Sequence, residues 1–381
     1  MDVLQPTMRV LLIYPRFPKT FWSFGRAVEL MGHRVLLPPL GLITVAALLP
    51  QSWYFQLVDS NVREVSEAEW EWADLAILSA MIVQKKDLPH QIGLAKQHKC
   101  QVAVGGPFAT STPEAEELKA ADFLALDEGE ITLPMLVDAI DNGATTGQFR
   151  AEGEKPDLCT SPIPRFDLLE RNAYAMMAVQ FSRGCPFQCE FCDIIVLYGR
   201  KPRTKTPDQL ICELEALNKL NWKGEVFLVD DNFIDNKRNV KQLLSELVLW
   251  QTRHAHPFSF TTEASIDLAS DEDLMDQMVE SGFNGFFLVS KHRIRQALAA
   301  RASTKILEHP SSKPWMPSLA KGYLLWPVLS LASTVNALEP VNELLILSTK
   351  AVSLLPCLES FRLYRKPPSG IDWMPKSIYS N

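Results

Sequence analysis

Short apolar runs recur along the first 130 residues with helix-length stretches between them: MRVLLIY at 8–14, FQLVD at 55–59, LAILSA at 75–80, QVAVGG at 101–106 and DFLALDEGE at 122–130. Strands separated by helices cannot pair as tight hairpins. Each crossover returns the chain parallel, so the expected fold is α/β with a doubly wound, Rossmann or flavodoxin-like sheet. Ligands of such sheets sit beyond the carboxyl ends of the strands. That edge here holds Ser79 to Met81, Gly105-Gly106-Pro107 and Asp127 to Glu130. A tight turn accounts for each of these small residues equally well.

A chain of 381 residues exceeds one ordinary core, and two domains are the natural expectation. Residues 8–140 form the first. From 141 to 175 the text turns polar and Pro-containing, which marks a linker. A second strand and helix series begins at 176: AVQFSRG, then the helical TPDQLICELEALNKLN, then EVFLVDDNF, FSFTTEAS and GFFLV. Polar residues close each of these strands, as at the chemical edge of a β/α barrel.

Cys185, Cys189 and Cys192 follow the first of these strands in the spacing CxxxCxxC. A structural zinc site takes four protein ligands, and this segment supplies three with no histidine nearby. A catalytic zinc with three ligands and a water remains open, although clustered thiolates are unusual there. A [4Fe-4S] cluster normally takes four cysteines, so three would leave one iron free for another ligand. With Phe191 directly before the last cysteine, the motif resembles the signature of radical S-adenosylmethionine (SAM) enzymes. The resemblance implies that Cys185, Cys189 and Cys192 hold a [4Fe-4S] cluster whose open iron binds SAM. In that family an electron from the cluster cleaves the sulfonium, giving methionine and a 5′-deoxyadenosyl radical that abstracts hydrogen from an unactivated carbon. Glu263 in TTEAS and Asp230, Asp231 and Asn232 in VDDNF end the next strands, where relatives hold SAM; capping of a strand end explains them as well. The basic run YGRKPRTKT at 198–206 would suit a carboxylate or phosphate, or simply solvent. No acid-base pair can be assigned from the residues.

The doubly wound first half, with PPLGLITVAALLP at 38–50, resembles the cobalamin-binding domain of B12-dependent radical SAM proteins. The likeness covers residues 8–288 in that family's order. It implies a cobalamin cofactor near Ser79, Gly105 and Gly106 and C-methylation, with methylcobalamin donating to a substrate radical. One departure stands out: the DxHxxG motif that supplies cobalt with a histidine is missing, and His33 in MGHRV lacks its Asp. FPKTFWSF, EGEITLP and GRKPRTKTP place the nearest resemblance with the branch that includes hopanoid C-2 methylases, implying a small, polycyclic lipid acceptor. Radical oxidation or rearrangement without methyl transfer, and a non-catalytic cobalamin or iron-sulfur module, are the competing readings.

The formal net charge of -7 carries no basic footprint for nucleic acid. The N-terminus MDVLQPTMRVLLIYP lacks the form of a signal peptide, and no apolar run before 288 is long enough to span a bilayer. A cytoplasmic enzyme is expected, with peripheral membrane contact compatible with a lipid substrate, and with flavodoxin or ferredoxin as reductant by family resemblance. Cys100, Cys159, Cys212 and Cys357 are expected as isolated packing thiols.

After Leu288 the resemblance stops. Relatives continue FLGIET where this chain reads FLVSKHRIRQAL. If each codon is read from the last base of one written codon into the next, Val289, Ser290 and Lys291 permit Gly, Ile and Glu. Leu325-Trp326-Pro327 permits Met followed by Ala in the same frame. From Val289 onward the only glycines are Gly322 and Gly370, and Asp372 is the one Asp. Residues 289–381 are therefore expected to be an out-of-frame tail on a truncated radical SAM partial β/α barrel, with poor solubility or lost activity as the consequence.

Overall fold

The computed structural model describes residues 7–20, 25–189, 192–289 and 324–327. Six strands, β1 (Arg9–Tyr14), β2 (Tyr54–Asp59), β3 (Leu75–Ser79), β4 (Gln101–Gly105), β5 (Phe123–Ala125) and β6 (Gly147–Phe149), form a parallel sheet in the order β2-β1-β3-β4-β5-β6. Its helices are α1 (Gly25–Leu30), α2 (Leu40–Leu48), α3 (Glu67–Trp72), α4 (Leu88–Gln97), α5 (Gly106–Ser111) and α6 (Gly129–Asp141). The unbroken apolar text of β1 follows from burial on both faces. Val10 and Leu12 enter one core cluster while Leu11 and Ile13 enter another, as the two-residue period of a strand requires. This is the doubly wound α/β fold expected.

The second sheet is also parallel: β7 (Met177–Val179), β10 (Gly224–Leu228), β11 (Phe258–Ser265), β12 (Phe283–Val289) and β13 (Leu324–Pro327), in the order β13-β12-β11-β10-β7. Between β7 and β10, the two-residue strands β8 (Ser182–Arg183) and β9 (Arg203–Thr204) pair antiparallel and enclose the cysteine loop with its short helix α7 (Ile194–Leu197). Helices α8 (Pro207–Lys219), α9 (Lys237–Arg253) and α10 (Glu272–Glu280) make the crossovers. α8 starts where its sequence dictates, with Pro207 in the first turn and a reciprocal Thr206/Gln209 capping box.

Both sheets lie in one compact unit. One core cluster runs from Val10, Leu12 and Phe123 of the first sheet to Met177, Val226 and Phe260 of the second. The segment 141–175, expected as a linker, contributes β6 and the buried Phe166, Leu169 and Tyr174. Val35 bridges to Tyr174, tying the end of this segment back to the first half. β13 comes from the stretch expected to be out of frame; the rest of that stretch beyond Val289 lies outside the described residues. Cys100 is buried as a packing thiol, whereas Cys159 and Cys212 are exposed and belong to neither core cluster; Cys357 lies outside the described residues.

Candidate functional site

The loop that carries the three cysteines is anchored at its start by the acidic turn after β10. Asp230, with 1% of its surface exposed, accepts hydrogen bonds from the Phe181 N–H at 2.8 Å and the Ser182 hydroxyl at 3.0 Å. Asp231 accepts from the Gly184 N–H at 3.2 Å. Asn232 reaches the other way, its Oδ1 accepting from the Ser265 N–H at the end of β11 at 2.8 Å. The Phe233 N–H donates to the Glu263 carbonyl at 2.9 Å. The turn Asp230–Phe233 thus binds the exits of β7 and β11 together beside the cysteines.

Within the loop, the Cys185 N–H donates to the Gly199 carbonyl and the Cys192 N–H to the Cys189 carbonyl, both at 3.2 Å. All three thiols are partly exposed. Among the described residues no three His, Cys, Asp or Glu side chains converge as a ready metal site. A cavity of about 500 Å³ adjoins the loop, lined by Pro186, Phe187, Lys201, Asn236 and Ser265 among others.

The electrostatics of the site are one-sided. Burial pushes Asp230 up to about 7, against the hydrogen bonds it accepts, and Asp231 up to about 6. Burial, then the charges of Asp231 and Asp230, push Glu263 up to about 7. Cys185 is pushed up to about 12, first by burial and then by Asp235 and Asp231, and burial also raises Cys192. Burial chiefly, with smaller contributions from neighbouring acids, holds protons on these groups, while Arg183 draws Asp231 down and Lys201 and Lys237 line the adjoining cavity.

Glu263 supplies a test. Its folded value of about 7 stands above the ordinary 4.5, so its contribution to stability is complete below pH ~4.5 and is lost as pH rises through about 7. The loss is on the order of 3 kcal/mol by the usual conversion of pKa units. Glu263→Gln is therefore expected to leave the melting temperature of the metal-free chain unchanged at about pH 4 and to raise it by roughly 5 °C at about pH 8. Melting curves that depend on pH identically in the two proteins would contradict this.

The strand-end residues of the first sheet also come together. A Cβ on Gly106, whose φ is +87°, would lie 2.3 Å from Ser79 Oγ, and one on Gly105 would lie 2.8 Å from the Ala125 carbonyl. Ser79, Gly105 and Gly106 are thus packed against neighbouring strand ends, and the absence of side chains at the glycines is already used by the protein. Beyond them Met81, Ile82 and Val83 stand 46%, 55% and 47% exposed, an apolar shelf at the end of β3. α5, which starts at Gly106, packs on α7 of the cysteine loop, and the Ser111 hydroxyl donates to Asp193 at 3.3 Å. The strand-end edges of both sheets meet at this seam.

The basic run 198–206 is largely paired: Arg203 meets Glu128, buried Lys205 meets buried Glu213, and Arg200 donates to Gln188. Sequence reasoning passed over Gly184 and Arg183. A glycine set directly before the first cysteine was the available signal, since a loop that must reverse sharply needs one.

Residues 179–290 match the model of the radical SAM superfamily. The chain carries a radical SAM domain. Its described part is the second sheet with the cysteine loop, which places the CxxxCxxC motif at the exit of the domain's first strand. An uncharacterized methyltransferase of Synechocystis sp. is 64% identical over 281 residues, covering 74% of this chain and 52% of the relative. The hopanoid C-2 methylase of Rhodopseudomonas palustris is 34% identical over 289 residues, covering 74% and 54%. The chain thus spans about half the length of these curated relatives. Among solved structures, a radical SAM methyltransferase from Kitasatospora setae with cobalamin and a [4Fe-4S] cluster bound matches with a TM-score of 0.64 at 14% identity, covering 84% of this chain and 68% of that one. The cobalamin-dependent SAM radical enzyme OxsB matches at 0.62 and 18% identity, covering 84% and 48%. At these identities the likeness establishes that the first sheet and the radical SAM domain occur together as one fold.

Proposed function

We propose that this chain is a cobalamin-dependent radical SAM C-methyltransferase, with Cys185, Cys189 and Cys192 holding a [4Fe-4S] cluster. The observation that carries the proposal is the seam: the three thiols of the radical SAM domain lie beside the strand-end edge of a doubly wound sheet. The donor set suits an iron-sulfur cluster, because three thiols on one partly exposed loop can bind three of its irons and leave the fourth open to another ligand. For cobalamin, the shelf Met81–Val83 offers apolar surface at the same edge, and Ser79, Gly105 and Gly106 shape the turns behind it. When bound, the cluster and SAM supply one-electron cleavage of a sulfonium, and cobalamin supplies the methyl group. Asp231 and Glu263 bring negative charge to the cationic cofactor, and Asp230 and Asn232 hold the strand exits in place. A small polycyclic lipid of the hopanoid kind is the acceptor favoured by the second relative, and flavodoxin or ferredoxin the class of reductant.

The test is product mass. Chain with its reading frame restored after Leu288, reconstituted anaerobically with iron, sulfide, SAM, cobalamin and reductant, is expected to add one CH2 unit to a hopanoid, and the chain as written is expected to lack that activity. Formation of 5′-deoxyadenosine without that gain would assign radical oxidation or rearrangement instead. Neither product, with cofactors bound, would leave a non-catalytic binding module.

Units of 8–140 and 176–288, with an out-of-frame continuation over 289–381, complete the proposal; the intervening 141–175 packs into the fold through β6 and the buried Phe166, Leu169 and Tyr174 and does not act as a free linker. The 281 residues matched in the first relative equal the length of 8–288. Resequencing across codons 285–295 checks the frame: one additional base there restores the family's GIET and traces the shift to a reading error, whereas the written bases, confirmed, leave either a gene that has truly lost a base or a genuine divergent tail.

A further inference from the structure

The cysteine loop is closed at its base by the short ladder β8–β9, and in that ladder Arg183 stands directly opposite Arg203. Two like charges facing each other across a strand pair repel and would splay the loop they close. The structure places a single carboxylate against both. Glu128 Oε2 accepts from Arg183 Nη1 at 3.0 Å and Arg203 Nη1 at 3.1 Å, and its Oε1 accepts from Arg203 Nη2 at 2.8 Å. Glu130 Oε1 lies 2.9 Å from the same Arg183 nitrogen and also accepts from the Ser161 hydroxyl. The Glu128 side chain is 2% exposed, and those of Arg183 and Arg203 are 12% and 14% exposed. A charge this buried must be paired, and removing one member leaves the others uncompensated.

The acids come from the first sheet, 53 to 75 residues away in sequence from the arginines they meet. Their presentation is specific. Asp127 adopts a left-handed backbone with φ of 65°, a conformation that Asp tolerates better than most residues, and the chain reverses there after β5. Glu128 occupies the N-terminal cap of α6, yet its side chain makes no capping hydrogen bond and points to the arginines instead. Arg203 adds bonds to the carbonyls of Pro156 at 2.7 Å and Tyr198 at 3.0 Å, so the trailing end of the loop is held from three directions. Burial works to lower the Arg183 guanidinium, but Glu130 and Glu128 override it and keep the charge.

We propose that Glu128 is a positioning residue for the cysteine loop: from the first sheet it neutralises the Arg183/Arg203 pair and so fastens both ends of the loop in register with that sheet. The spacing of the cluster-binding thiols from the first sheet's binding edge is then set by an ion-pair clamp and by the packing of α5 on α7 together. The proposal rests on the functional reading only in calling the loop a cluster loop, and its test uses the metal-free full-length chain.

The test is the rate at which each cysteine is alkylated, resolved by mass spectrometry, in the native protein and in Glu128→Gln, which keeps the shape of the side chain and removes its charge. Cys185, Cys189 and Cys192 are expected to label about tenfold faster in the variant, while Cys100, buried in the first sheet, stays protected. The double variant E128Q/R203M, in which the facing arginine is also discharged, is expected to return most of the way to the native rate. Glu130→Gln, which removes one acceptor of Arg183, should give a smaller increase, about threefold, at the same three thiols, and gives the result if E128Q yields no soluble chain. Unchanged labelling of the three thiols would overturn the proposal. So would a parallel rise at Cys100, which would mean general loosening, and so would a double variant that labels faster than E128Q. None of these outcomes bears on whether the chain methylates a lipid.

Discussion

Serine in place of Cys185, Cys189 or Cys192 should leave a folded chain that retains less than about a tenth of the native iron after anaerobic reconstitution. The alcohol is too poor an anion and too hard a donor to replace a thiolate on iron. With three protein ligands in the segment there is no spare to take over. Stability should change little, within about 0.5 kcal/mol, because all three side chains are partly exposed and none belongs to a core cluster. Cys159→Ser and Cys212→Ser, at exposed positions outside the loop, are the controls and should load iron normally. Iron and sulfide analysis with melting curves distinguishes the cases; a single-cysteine variant that loads fully would remove that residue from the ligand set.

Gly184→Ala should produce a comparable loss of iron without touching a ligand. Gly184 has φ of +93°, and a Cβ there would lie 2.9 Å from the Lys201 carbonyl oxygen, 3.0 Å from that of Gly199 and 3.3 Å from that of Tyr198. The left-handed conformation alone costs about 1–2 kcal/mol in a residue with a side chain. The overlap adds to it, because the obstructing atoms are backbone carbonyls and cannot rotate away. Relief requires the loop base to open, and that lengthens both the Asp231 bond to the Gly184 N–H and the Cys185 bond to Gly199. The expected result is iron loading below about a tenth of native, with a melting temperature lower by a few degrees. Stoichiometric iron in this variant would show that the loop adapts and that its base does not govern loading.

The main elements were legible because both sheets are parallel, with short apolar runs in the strands of the first and strands of the second that close on polar residues, each set off by helix-length stretches. FSFTTEAS at 258–265 coincides with β11, and the runs at 55–59 and 75–80 fall within a residue of β2 and β3. β6 was not legible: its text, GQF, is three residues with a glycine and one apolar side chain, and only the register against β5 makes it a strand. The hairpin β8–β9 escaped for the same reason, since two-residue strands have no period to detect. For the site, the cysteine spacing was local and therefore visible. The roles of Arg183, Arg203 and Glu128 were not, because they exist only once the two sheets are packed.

The sequence by itself determined two αβ units in order, the loop of three thiols at the exit of a strand, and the acidic strand ends that face it. These depend on apolar period and on residues within a few positions of one another, which the linear text records. Tertiary structure alone decided that Asp230 turns its carboxylate to the Phe181 backbone and Ser182, that Ser79 fills the space a side chain on Gly106 would need, and that Glu128 lies between two arginines. Each is a contact between groups dozens of residues apart, and burial makes such contacts matter: away from water an acid must find a donor or a cation, and which one it finds depends on how the sheets pack.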